Sequence, residues 1–72
     1  MTNIAKSTLD YIKESVRNKN ISGNYNDTET INDYEIRKIV EEDEYYYKCY
    51  KIVIEVKKKE QIRRLESYVL QQ

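Results

Sequence analysis

The segment YYYKCYKIVIEVK, residues 45–57, decides the fold, because its apolar and charged residues alternate with a period of two. The larger apolar residues fall on one parity: Tyr46, Tyr50, Ile52, Ile54 and Val56. Charged residues take the other parity: Lys51, Glu55 and Lys57. This alternation is typical of a half-buried β-strand, so we expect Tyr45 and Tyr47 to face outward and Tyr46 to join the core.

A second strand is predicted just before this one, at residues 34–40. That segment is rich in β-branched residues and is bounded by the acidic run 41–44. The two strands are therefore expected to form an antiparallel hairpin that turns at or near residues 42–44. Residues 24–33 are polar and fit either a loop or an edge strand.

Helical spacing appears at both ends of the chain. Ala5, Leu9, Ile12 and Val16 recur as on an amphipathic helix, which should end near residues 18–20. Residues 58–70 show a similar spacing through Ile62, Leu65 and Val69, and they predict a C-terminal helix. The expected fold is α+β, with both helices on one face of the hairpin.

The length of 72 residues allows one hydrophobic core, so residues 1–72 are expected to form a single compact domain. Nine Ile, five Val and three Leu supply a core whose stabilisation barely offsets the ordering entropy. Part of the stability is then expected to come from the eight Tyr or from a partner surface, and a homo-oligomer would supply one.

The residues that are absent argue against catalysis. The chain has no His, one Gly and one Cys, which removes the usual proton shuttle, glycine-rich phosphate loops and CxxC pairs. The sequence predicts a non-enzymatic protein with no metal and no cofactor. The lone Cys49 and the lack of a long apolar run favour the cytoplasm and no membrane association.

Charge is unevenly distributed along a chain whose formal net charge is zero. Residues 24–47 carry eight acids and two bases. These acids are the first candidates for a partner-binding face: Asp27, Glu29, Asp33, Glu35, Glu41, Glu42, Asp43 and Glu44. The simpler interpretation of the run 41–44 is a solvated hairpin tip.

Tyr45 and Tyr47 complete this candidate face. Exposed tyrosines beside acids are typical of protein-binding surfaces, because Tyr offers a large contact area at low entropy cost. The alternative is that these rings pack across the strands and stabilise the hairpin.

Five bases within eight residues give the second candidate surface: Lys57, Lys58, Lys59, Arg63 and Arg64. They could neutralise phosphates of a nucleic acid, or simply form the solvated face of the last helix. The order of helix, strands and lysine-led helix resembles double-stranded RNA-binding domains in outline. The residues after the lysines, 60–63, lack the small-residue helix face of that family, so the sequence does not assign it.

The function that these features favour is that of a small regulator or inhibitor, which binds a partner protein through the acidic, tyrosine-rich hairpin. In size and charge layout such a chain resembles the small inhibitors that phages and mobile elements direct against host nucleic-acid-handling or defence proteins, including anti-CRISPR proteins. Nucleic-acid binding through residues 57–64 is the alternative.

Overall fold

The computed structural model describes residues 2–21 and 23–71 and shows one helix followed by four strands. The elements are α1 (Thr2–Arg17), β1 (Tyr25–Ile31), β2 (Tyr34–Glu42), β3 (Cys49–Lys58) and β4 (Gln61–Leu70). The strands form one antiparallel sheet in the order β1-β2-β3-β4. Each strand therefore pairs with its neighbour in sequence, and α1 lies across β3 and β4.

The N-terminal helix confirms the predicted amphipathic pattern. Ala5, Ile12 and Val16 are buried against the sheet, and Leu9 packs partly buried beside them. The helix ends close to where the sequence predicted, and Lys19, at φ 63°, makes the turn that ends it. The N–H of Asn20 donates to the Ser15 carbonyl at 2.9 Å, which closes a Schellman cap.

The central hairpin of β2 and β3 confirms the predicted antiparallel pairing of the two segments, but its connection is longer than the turn expected at residues 42–44 and extends over residues 43–48. Ile36 lies opposite Val56, and Val40 lies opposite Ile52. All four side chains are almost fully buried. Since directly opposed residues share a face of the sheet, this register places the apolar parity of both strands on the side of the sheet that faces α1.

Residues 24–33 contain the third strand that the sequence left undecided. β1 adds to the outer edge of β2, with Tyr25 opposite Val40 and Ile31 opposite Tyr34. Asn32 forms the tight turn between the two strands at φ 56°. The polar composition of this segment does not favour a strand. Pairing with β2 supplies the backbone hydrogen bonds that hold it in one.

The predicted C-terminal helix is wrong, because residues 61–70 form strand β4. Ile62, Leu65 and Val69 are spaced as on a helix, but in β4 Leu65 and Val69 face α1 while Ile62 faces the other side of the sheet. The edge of β3 offers the segment a full ladder of hydrogen bonds, and this tertiary pairing outweighs its helix propensity. Because a strand and not a helix follows β3, the order of elements does not resemble that of a double-stranded RNA-binding domain.

The sheet has two different faces. The helix face carries the core of α1, β2, β3 and β4. The opposite side, which we call the open face, carries eight charged residues of alternating sign: Glu35, Arg37, Glu41, Lys51, Glu55, Lys57, Arg64 and Glu66. Four acids against four bases leave this face without net charge.

Candidate functional site

The connection between β2 and β3, residues 43–48, contains the three consecutive tyrosines and is called the tyrosine loop here. The sequence placed Tyr45, Tyr46 and Tyr47 in a strand, but β3 begins only at Cys49. The expectation that Tyr46 joins the core is therefore wrong, since its side chain is 68% exposed. Tyr50, the next tyrosine along the chain, is buried as predicted.

Hydrogen bonds within the tyrosine loop fix its backbone. Asp43 Oδ1 accepts the N–H groups of Tyr45 and Tyr46 at 2.7 and 3.1 Å. The Asp43 N–H donates to the Cys49 carbonyl at 2.8 Å, and the Cys49 N–H donates to the Tyr46 carbonyl at 3.2 Å. Lys48 completes the turn at φ 59°. Asp43 is therefore a structural residue of the loop, because an Asx turn of this kind orders the backbone that follows it.

The tyrosine side chains project from this ordered backbone. Tyr45 and Tyr47 are both 88% exposed. The predicted outward orientation of these two rings is confirmed, although they project from a loop and not from a strand. Packing across the hairpin does not occupy them, so their apolar surface is available to a partner.

Acidic residues surround the base of the tyrosine loop. Glu41, Glu42 and Glu44 are exposed. The Asn24 Oδ1 atom accepts the backbone N–H of Glu42 at 3.1 Å and so holds the end of β2 in place. On the open face, a shallow cavity of about 220 Å³ lies between Tyr45, Lys51 and Tyr68. Tyr68 is itself 58% exposed, so the aromatic surface of the loop continues onto β4. The sequence interpretation missed Tyr68 because it placed this residue on a helix.

The other predicted acids do not join this group. Asp33 lies in the β1–β2 turn, at the opposite end of the sheet from the tyrosine loop. Glu35 lies on the open face opposite Lys57. The predicted acidic residues, which are close together in sequence, thus lie at two different ends of the sheet.

Asp27 and Glu29 form ion pairs with Lys38 on the helix face of the sheet. The Lys38 ammonium lies 3.0 Å from a Glu29 oxygen and 3.7 Å from an Asp27 oxygen. Only 12% of the Lys38 side chain is exposed. Burial by itself lowers the pKa of Lys38, but the hydrogen bond and charge of Glu29, with the charge of Asp27, outweigh it and raise the pKa above 10.5.

The predicted basic surface is divided between the faces of the sheet. Lys57 and Arg64 lie on the open face, whereas Arg63 lies on the helix face. The Arg64 guanidinium is 2.9 Å from Glu66 and 3.5 Å from Glu55. Side chains of a strand alternate between faces, and for this reason the single basic helix face expected from the sequence is wrong.

Lys58 and Lys59 lie at the β3–β4 turn. The Lys58 ammonium lies 4.9 Å from the centre of the Tyr34 ring, within cation–π range. Lys59 occupies the turn itself at φ 56°. These two lysines sit at the opposite end of the sheet from the tyrosine loop, beside the turn that contains Asp33.

Within residues 2–21 and 23–71, no three His, Cys, Asp or Glu side chains are grouped so that they could hold a metal ion. In the same part of the chain, no helix combines the length and apolar character needed to cross a membrane. Comparison with known protein families, with curated proteins and with solved structures found no match.

Proposed function

We propose that this protein is a non-enzymatic regulator or inhibitor that binds a partner protein through the tyrosine loop. The observation that supports this proposal is the exposure of three consecutive tyrosines, residues 45–47, on an ordered loop. Asp43 orders this loop by accepting the backbone N–H groups of Tyr45 and Tyr46. Exposed tyrosines are frequent anchors of protein interfaces. A loop that is already ordered loses less entropy when it binds, so more of the contact energy contributes to affinity.

The acids beside the loop define the charge of the expected partner. Glu41, Glu42 and Glu44 give this end of the sheet a negative potential. A complementary partner has apolar pockets for the tyrosine rings and Lys or Arg around them. Nucleic-acid-handling proteins carry such basic surfaces, and we propose this class as the target.

The proposal is tested by capturing partners from a lysate of the source organism and measuring the affinity of the captured protein. The double variant Tyr45→Ser/Tyr47→Ser should weaken binding about 30-fold or more, because each of the two anchor residues contributes about 1 kcal/mol or more. The control is Tyr11→Ser, which removes another exposed tyrosine, 69% exposed, from α1. Equal capture by the double variant and the control would refute the role of the loop.

Charge is tested separately with the triple variant Glu41→Gln/Glu42→Gln/Glu44→Gln. It should slow association and reduce its dependence on salt, whereas Glu60→Gln at the far end of the sheet should do neither. A gel-shift assay at two salt concentrations tests the nucleic-acid alternative. A salt-sensitive shift that Lys58→Gln/Lys59→Gln abolishes would replace our proposal with nucleic-acid binding.

A further inference from the structure

The sheet has two open edges, β1 and β4, and they differ in character. β4 is ten residues long and exposes Ile62, Tyr68 and Leu70 on the open face by 63, 58 and 66%. β1 has seven residues and carries Asp27 and Glu29. A long edge strand with exposed apolar side chains is a template for pairing with another chain, whereas acidic residues discourage it.

The backbone of β4 has hydrogen-bonding groups directed away from the sheet. At its C-terminal end the Gln71 N–H donates to the Lys48 carbonyl at 2.8 Å, which directs the odd-numbered residues of this segment towards β3. Because the direction alternates along an antiparallel strand, the N–H and C=O groups of the even-numbered residues face outward. They extend along the edge from Ile62 to Leu70.

A second copy of this chain can satisfy these groups by antiparallel pairing of β4 with β4 about a two-fold axis. The register centred on Leu65 places Arg64 of each copy opposite Glu66 of the other, and Ile62 opposite Tyr68. Opposite charges and aromatic–β-branched pairs are both stabilising when they face each other across strands. Registers centred on Arg64 or on Glu66 would instead oppose like charges.

We propose that the protein forms this two-fold dimer, an eight-stranded sheet with the two β4 strands at its centre and Leu65 on the axis. Both helices lie on the same side of the dimer. Because α1 lies over β3 and β4, the helices are separated by about two strand spacings, about 10 Å, which suits direct helix packing.

The alternative edge does not favour a closed dimer. Pairing of β1 with β1 centred on Thr28 would oppose Asp27 to Glu29, and centring on either acid would oppose that acid to itself. Pairing of β1 with β4 is heterologous and would produce open chains of molecules. The β4 dimer also places the two tyrosine loops at opposite ends of the continuous sheet, so it would make partner binding bivalent. The dimer itself does not depend on the proposed function.

Sedimentation velocity across a concentration series tests the dimer, and two charge variants test its register. Arg64→Glu and Glu66→Arg should each weaken self-association about tenfold or more, because each places like charges opposite each other twice. Mixing the two variants should restore dimers, since every pair in the heterodimer is then of opposite sign. A wild-type protein that stays monomeric, or variants that dimerise like the wild type, would overturn the proposal.

A cross-linking test does not depend on the effect of these charges on folding. In a Cys49→Ser background, Leu65→Cys lies opposite its own copy in a non-hydrogen-bonded pair, with Cα atoms about 4.5 Å apart, a distance that a disulfide can span. Mild oxidation should therefore give a covalent dimer. Tyr68→Cys in the same background lies opposite Ile62 and should stay monomeric on a denaturing gel. Equal cross-linking of the two variants would contradict the register.

Discussion

Lys38 forms an ion pair with Glu29 at 3.0 Å on the helix face of the sheet, the same face that carries the hydrophobic core. Asp27, directly opposite Lys38, adds a second carboxylate at 3.7 Å. A charged residue thus occupies the position between the buried Ile36 and Val40 of β2. Asp27 and Glu29 of β1 compensate this charge, so the polar edge strand covers the edge of the hydrophobic core.

We expect Lys38→Ala to lower the free energy of unfolding by about 1–3 kcal/mol, because it removes both the charged hydrogen bond and the packed aliphatic stem. Lys38→Met keeps a stem of similar size and should cost less than about 1 kcal/mol. Urea denaturation of the two variants measures the difference. Equal losses would mean that the stem contributes little.

The raised pKa of Lys38 predicts a loss of stability at alkaline pH. A Lys whose pKa is higher in the folded state contributes its full stabilisation below the unfolded value of about 10.5, and loses it as pH rises through the higher folded pKa. The stability of the wild type should therefore fall relative to Lys38→Met in that range. Denaturation of both proteins at increasing pH tests this, because groups far from Lys38 contribute equally to the stability of both. A constant difference would show that Lys38 titrates normally.

Asp43→Ala should loosen the tyrosine loop, because it removes the oxygen that accepts two backbone N–H groups. We expect faster amide hydrogen exchange at Tyr45 and Tyr46 and a stability loss of about 0.5–1.5 kcal/mol. Asp43→Asn keeps an oxygen acceptor and is the control. Unchanged exchange in Asp43→Ala would show that the loop is ordered by other contacts.

Gly23→Ala should destabilise the protein by about 1 kcal/mol, because Gly23 has φ 75°, a conformation that a Cβ atom disfavours. Space does not cause this loss, since a Cβ at this position would meet only a Glu42 oxygen at 3.8 Å. Gly23→Asn should cost less, as Asn tolerates this backbone region better. Thermal unfolding of the two variants ranks them, and the reverse order would contradict a conformational origin.

Arg63 distinguishes a strand from a helix at residues 61–70, because this exposed position depends little on packing. In β4, Arg63→Thr should be more stable than Arg63→Ala, within the span of about 1 kcal/mol of strand propensities. On a helix the order would be reversed, since Ala is the better helix former. Chemical denaturation of both variants gives the order directly.

The sequence by itself determined the elements whose pattern had one interpretation. The period of two in residues 50–56 and the spacing of Ala5, Leu9, Ile12 and Val16 gave β3 and α1, because burial of an apolar face fixes the period. The outward position of Tyr45 and Tyr47 was also predicted. The cap of α1 was less predictable, since Lys19, a residue with a Cβ atom, adopts the positive φ that the turn requires.

Only the tertiary structure decided the elements that bury little of their own surface. Residues 61–70 carry helical spacing, yet they form β4 because β3 offers them a complete hydrogen-bond ladder. Residues 25–31 form β1 through the same kind of pairing and through the Lys38 cluster. Strand pairing sets the face and the end of the sheet at which each residue lies, and it therefore also decided that the acids and the bases are each divided between separate parts of the sheet.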